Sequence, residues 1–191
     1  MNSQKILSNF LAGRYKQLHC AKCEMTFLTN VFEFDENHVL LEKHSLGLEY
    51  YCGAIHSENL LKVPKIERIG IIDEDDNPVK APSSKEIYSG DETNLRFIYL
   101  MEKLVHLNDK DTEYFNQYTQ NLDWKNEKEI NEILEKISKK YNPQLATDIA
   151  KLYHFYTKHK EVIAWDLHGD NLMQRIKNNE IIILDPYTRK A

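Results

Sequence analysis

With 191 residues, 41% of them hydrophobic and 29% charged, the chain is long enough to bury its own core and has the balance of a globular protein. A formal net charge of -5 gives no overall basic field to gather nucleic acid, and no apolar run approaches the length that spans a bilayer, so neither nucleic acid nor membrane is expected as a partner. Cys20, Cys23 and Cys52 are an odd count in a chain too long to need disulfide staples, which predicts reduced thiols and a cytoplasmic setting; a secreted effector with a non-cleaved signal would read the same way.

Taken in chain order, Ile6, Leu7, Phe10, Leu11, Tyr15 and Leu18 recur at helical spacing and predict a helix over the first eighteen residues, laying one apolar stripe on the rest. Thr29 to Phe34 and His38 to Lys43 are rich in branched and aromatic residues and flank the polar turn Asp35-Glu36-Asn37, the pattern of a β-hairpin. A helix over roughly Leu46 to Leu61 follows and ends before Pro64. Ile66 to Ile72 predicts a strand that stops at the acidic turn Asp73 to Asn77, and a loop with Pro78, Pro82 and Gly90 leads to a further strand, Leu95 to Met101.

The composition then changes. Asp109 to Tyr141 carries Glu, Lys, Asn and branched apolar residues at helical spacing, and Pro143 opens another helix running to about His159. Along Lys125 to Lys140 the lysines alternate with Glu127, Glu129, Glu132 and Glu135, a solvated helix face and not a nucleic-acid surface. Tyr153, Phe155 and Tyr156 read as core. Extended structure returns in Val162 to Trp165, Leu172 to Arg175 and Ile181 to Leu184, with Asn178-Asn179 as a turn. Strands followed by helices predict an α+β chain of two lobes, about 1–101 and 102–191, with a ligand-binding cleft expected between them.

The chemistry-bearing text is Trp165-Asp166-Leu167-His168-Gly169-Asp170-Asn171-Leu172-Met173, followed after a hairpin by Ile183-Leu184-Asp185-Pro186-Tyr187. Phosphoryl transfer from ATP needs a carboxylate to orient the attacking hydroxyl and oxygen ligands to hold Mg²⁺ against the phosphates. Asp166 and Asn171, five positions apart, suit the first task and part of the second, and Asp185 at a strand end supplies a further carboxylate.

An Asp, four intervening residues and an Asn, with a later strand-end Asp, resembles the catalytic loop and metal-binding motif of the protein-kinase-like superfamily. The wording Asp-Leu-His-Gly-Asp-Asn is most similar to its aminoglycoside-phosphotransferase and atypical-kinase branch. The resemblance implies a minimal bilobal protein-kinase-like fold with a small N-terminal antiparallel sheet and helix and a mostly helical C-terminal lobe. It further implies ATP and Mg²⁺ as cofactors and phosphorylation of a hydroxyl on a protein or small molecule. By the same resemblance Asp166 is the catalytic base, His168 a phosphate neighbour, and Asn171 and Asp185 the metal ligands. Lys43, on the strand where the family carries its phosphate-binding lysine, shares a face with Leu41; Glu58, preferred to Glu49, is its expected carboxylate partner. The segment Glu102 to Leu104 stands where backbone groups would meet the adenine edge.

The chain departs from the family in several places. No glycine lies between Glu24 and Phe34, where a glycine-rich phosphate loop belongs. Ala164 and Trp165 replace His and Arg, and Pro186-Tyr187 replaces Phe-Gly. The text ends four residues after Tyr187, so no activation loop is expected, and acceptor recognition is expected from Asp109 to Tyr141, the first helix or a partner chain. Two other functions stay open: a pseudokinase that binds nucleotide or a protein partner as a scaffold, and a metal-dependent hydrolase built on Asp166, His168, Asp170 and Asp185. His19-Cys20-Ala21-Lys22-Cys23 invites a zinc reading, but the thiols and imidazole there fall short of a closed four-ligand site.

Overall fold

The computed structural model describes residues 2–18, 29–44, 46–80 and 95–190, and the chain divides into two units. One consists of Met1–Leu46 and Lys65–Lys103, the other of Gly47–Pro64 and Leu104–Ala191. The helix that follows the first hairpin thus belongs to the second unit, although in chain order it stands among the strands.

The first unit is a five-stranded antiparallel sheet of order β1-β2-β3-β5-β4, from β1 (Gln17–Leu18), β2 (Thr29–Glu33), β3 (His38–Lys43), β4 (Ile66–Ile72) and β5 (Arg96–Glu102). Helix α1 (Ser3–Leu11) packs on one face, where Ile6 meets Leu40, Ile69, Ile72, Ile98 and Leu100. Ile69 and Ile72 share that face, despite their odd spacing, because the register of β4 shifts between Arg68 and Gly70. Strand alternation puts Leu41 and Lys43 on the opposite face from Leu40 and Glu42.

The expected eighteen-residue helix is half that length. Asn2 caps its start by accepting the Lys5 N–H at 3.2 Å, and Gly13, at φ +65°, reverses the chain just past its end. Tyr15 and Leu18 continue the apolar spacing by coincidence. Tyr15 stacks near Phe34, with centroids 5.6 Å apart, and Leu18 joins β1 opposite Val31.

Glu42 is buried at 6% exposure on this sheet and is matched there. It accepts from Arg96 Nη1 at 2.9 Å and Asn30 Nδ2 at 2.7 Å, while Arg96 Nη2 donates to the Asp73 carbonyl at 2.8 Å and to the Asp76 carboxylate. The guanidinium therefore ties β3 to the acidic turn that ends β4.

The second unit contains α2 (Gly47–Ser57), β6 (Leu104–His106), α3 (Asp109–Thr119), a 3-10 turn at Leu122–Trp124, α4 (Glu127–Lys140), α5 (Pro143–His159), β7 (Ile163–Trp165), a second 3-10 turn at Gly169–Asn171, β8 (Leu172–Arg175), β9 (Ile181–Ile183) and β10 (Tyr187–Arg189). Asn108, Asn126 and Asn142 cap α3, α4 and α5; Asn126 and Glu129 complete a capping box, and Pro143 opens α5. The helical stretch predicted from Asp109 to Tyr141 is thus two helices, broken at residues 120–126. Lys140 spans the break, with its Nζ 3.8 Å from the Tyr114 ring centroid, and the Tyr141 hydroxyl donates to Asp111 at 2.6 Å. The solvated face of α4 carries the Glu135–Lys139 pair at 2.5 Å and buries only Ile133 and Ile137. Phe155 is buried, whereas Tyr153 and Tyr156 are half-buried against Trp165.

Two small sheets complete this unit, β6-β8-β9 and β10-β7, all antiparallel. Strands β6 and β10 were not expected, each being too short for alternation to register. Glu180, just before β9, accepts from both Lys62 and Arg175, and Arg175 also donates to the Val63 carbonyl at 3.0 Å. The Lys62 hydrogen bond, with Arg175 behind it, holds the Glu180 carboxyl below its ordinary value of 4.5 against the opposing effect of burial. Because the folded value is the lower one, this stabilisation is complete above about pH 4.5 and is lost as the pH falls through the folded value. Urea unfolding of wild type and Glu180→Gln between pH 7 and 3 is expected to show a stability difference that shrinks only below that point; a constant difference across the range would refute the assignment.

Among the described residues no helix is long and apolar enough to cross a membrane. His19 to Cys23, the glycine-free stretch up to Leu28, and Pro82 to Gly90 lie outside the described residues.

Candidate active site

Strand β7 delivers the chain into the Asp166–Asn171 loop with its alternation intact. Trp165 is buried, its Nε1 donating to the Thr119 carbonyl at 2.7 Å, and Leu167 is 0% exposed, its carbonyl accepting from Thr119 Oγ1 at 2.7 Å. The residues between and after them therefore turn outward: the side chains of Asp166 and His168 are 43% and 27% exposed.

The loop closes on itself around Asn171. Its N–H donates to the His168 carbonyl at 3.0 Å, and its Nδ2 donates to the Asp166 carbonyl at 2.7 Å and meets His168 Nε2 at 3.1 Å. An amide nitrogen only donates, so this contact makes His168 Nε2 the acceptor, the tautomer with its proton on Nδ1, 3.8 Å from Asp170 Oδ2. The same contacts set the orientation of the Asn171 amide, with Oδ1 as its acceptor end. Asp166 Oδ2 lies 3.5 Å from the same Nδ2.

Asp185 is brought alongside by backbone pairing. The Leu184 N–H donates to the Asn171 carbonyl at 2.9 Å, and the Asp166 N–H donates to the Pro186 carbonyl at 2.9 Å, so the residues on both sides of Asp185 are bonded to the loop. Its Oδ1 is out of contact with solvent. Behind it, the buried Tyr51 hydroxyl donates to the Ile183 carbonyl, and burial, then the charges of Cys52 and Asp185, push that phenol well above its ordinary range. Ile183 in turn donates to the Lys62 carbonyl at 2.9 Å.

Helix α3 is the floor of the loop. Gly169 packs so closely on it that a Cβ would lie 2.2 Å from the Thr112 carbonyl oxygen, and the Gly169 N–H donates to Asn116 Oδ1 at 2.7 Å. Thr112, Asn116 and Thr119 are polar residues at helical spacing beside the buried Phe115, a stripe legible in the sequence but absorbed there into a general helical reading.

The remaining candidates are distributed between the two units. Lys43 ends β3 in the first unit, opposite Thr29 and Phe97. Glu58, in the second, follows α2, with its carboxylate 3.7 Å from Lys158 Nζ and its carbonyl accepting from Lys151 at 2.8 Å. Glu102 closes the start of β4: its N–H donates to the Lys65 carbonyl and its carboxylate accepts the Lys65 N–H, both at 2.9 Å. The Lys103 N–H is taken by the Asn37 carbonyl at 2.7 Å, and Leu104 opens β6 opposite Arg175.

Among the described residues no group of three or more His, Cys, Asp or Glu side chains converges as a metal site, and this includes Asp166, His168, Asp170 and Asp185. Mg²⁺ commonly takes only one or two protein oxygens and completes its shell from phosphate and water, so an Asn171 oxygen and an Asp185 carboxylate fit that ion and not a closed cage. No family model matches this chain, and neither a curated protein nor a solved structure does.

Proposed function

We propose that this protein is an ATP- and Mg²⁺-dependent phosphotransferase with a minimal, bilobal, protein-kinase-like fold, transferring phosphate to a hydroxyl of a protein or small molecule. One observation carries the reading: the Asn171 amide is hydrogen-bonded to the Asp166 carbonyl while the Asn171 carbonyl receives the Leu184 N–H. These bonds tie the loop that carries Asp166 and Asn171 to the residue preceding Asp185, and a carboxylate base with oxygen ligands for Mg²⁺ is what phosphoryl transfer requires.

In this reading Asp166, turned to solvent, orients the attacking hydroxyl and accepts its proton. Asn171 Oδ1 and the Asp185 carboxylate hold Mg²⁺, which when bound neutralises charge on the phosphate oxygens. His168 Nδ1 is a donor beside the phosphates; the kinase resemblance further gives Lys43 a phosphate role and Glu102 to Leu104 an adenine-edge role, while the Glu58 carboxylate lies 3.7 Å from Lys158 Nζ. The α+β class and the five-stranded antiparallel N-terminal sheet are compatible with this fold.

The test is a thermal-shift titration with ATP and Mg²⁺, separately and together, on wild type and Asp185→Ala. At a hundredfold excess over Kd a ligand of the folded state adds about 2.7 kcal/mol, or roughly 5–10 °C for a chain of this size. That shift is expected only with both ligands and only in wild type. A wild type that does not respond would sink the proposal.

That negative result would favour a second reading, a pseudokinase scaffold for a protein partner. It draws on a specific observation: the Glu102 and Lys103 N–H groups are both consumed inside the first unit, which leaves fewer donors for an adenine edge. Partner binding would then survive Asp185→Ala.

A further inference from the structure

We infer that Asn116 is the positioning residue that sets the Asp166–Asn171 loop, an inference that rests on the phosphotransferase reading above. The loop turns at a glycine, the residue with least backbone stiffness of its own, midway between the proposed base and the proposed metal amide. A side chain at that position would stiffen it, but the Thr112 carbonyl oxygen occupies the space where a Cβ would go. The Asn171 contacts hold the loop from within, and the Gly169 N–H needs an anchor from outside it. Asn116 supplies it, its Oδ1 accepting the Gly169 N–H at 2.7 Å.

One helical turn further along α3, Thr119 holds the loop from the other side. Its hydroxyl lies 2.7 Å from the Leu167 carbonyl and 2.8 Å from the Phe115 carbonyl, its single proton shared between them, and its own carbonyl receives Trp165 Nε1. Thr119 therefore sets how deep the loop sits. Gly169 begins the 3-10 turn that ends at Asn171, so the direction of its N–H determines where the Asn171 amide lies. That amide in turn orients Asp166 and completes the proposed Mg²⁺ site. Without an acceptor at 116 the Gly169 N–H loses its partner and the His168–Gly169 peptide is held only by the Asn171 N–H on the His168 carbonyl, which loosens the Asn171 oxygen at the ion.

The experiment compares wild type, Asn116→Ala and Asn116→Asp for Mg²⁺-dependent ATP affinity by calorimetry, with melting temperatures measured alongside and the Gly169 amide followed by NMR. Loss of one positioning hydrogen bond to a metal-bearing loop is expected to weaken Mg²⁺·ATP binding roughly tenfold or more in Asn116→Ala. Asn116→Asp keeps the acceptor and is expected to stay within about threefold of wild type, with the Gly169 amide protected. A residue that only supports the fold would lower the melting temperature of Asn116→Ala without changing its affinity at a temperature where it is folded, and that result overturns the inference. So does equal loss in both variants. If wild type itself binds no Mg²⁺·ATP, the phosphotransferase reading falls and takes this inference with it, whereas a binding wild type matched by Asn116→Ala overturns this inference alone.

Discussion

Gly169→Ala is expected to destabilise the protein by about 4 kcal/mol and to lower its melting temperature by roughly 8–16 °C. The new Cβ would lie 2.2 Å from the Thr112 carbonyl oxygen and 2.7 Å from its carbonyl carbon and Cα. All three are backbone atoms of α3, so no rotamer change makes room. The loop must separate from the helix, and in doing so it gives up the Gly169–Asn116 and Leu167–Thr119 hydrogen bonds, with about 1 kcal/mol or more at stake in each. Gly13→Ala is the useful control. Nothing lies within 4 Å of its would-be Cβ, and only the φ of +65° opposes the substitution, which costs about 1 kcal/mol. Urea unfolding of both variants measures the contrast. Equal, small effects would refute the close packing of the loop on α3.

Asp148→Ala is expected to cost a similar amount, about 4 kcal/mol, by a different route. Asp148 is 0% exposed on α5, yet its carboxylate is fully engaged: Oδ2 accepts the Leu61 and Lys62 N–H groups at 2.8 and 2.6 Å, and Oδ1 accepts Gln144 Nε2 at 2.7 Å. Truncation leaves two backbone donors in a part-buried segment without their acceptor, each worth about 1–3 kcal/mol. Asp148→Asn keeps an acceptor oxygen and loses only the charge assistance, so roughly half the loss is expected there. The Lys62 carbonyl receives the Ile183 N–H, and Ile183 ends the strand that leads to Asp185. Loosening this segment should therefore also reduce any Mg²⁺-dependent stabilisation by ATP. A melting curve for Asp148→Ala that overlays wild type would rule out this account of the buried carboxylate.

The residues expected to matter and the residues that hold them in place were unequally visible. Asp166, His168, Asn171 and Asp185 stand out because an Asp, four intervening residues and an Asn, followed by a strand-end Asp, match the order and spacing of a kinase-like motif. Asn116, Thr119 and Asp148 do not, because a lone Asn, Thr or Asp within a helix reads as solvated surface until something is packed against it. The first helix was overextended because apolar spacing continued through Tyr15 and Leu18, while Gly13, the residue that ends it, signals a left-handed backbone only once its φ is known. Strands β6 and β10 were missed because three residues carry no period.

What the amino-acid text determined by itself is local: the hairpin of β2 and β3, the strands β4 and β5, the helix that Pro143 opens, the hairpin of β8 and β9, the α+β order and the spacing of Asp166 and Asn171. These depend on side-chain periodicity, caps and turns, whose physics acts over a few residues. The tertiary structure alone decided that α2 belongs with the second unit and that α3 forms the floor of the loop. Those outcomes join positions up to more than a hundred residues apart, as when the Tyr51 hydroxyl donates to the Ile183 carbonyl, and every residue offers a carbonyl and every residue but proline an N–H, so composition cannot say which of them will meet.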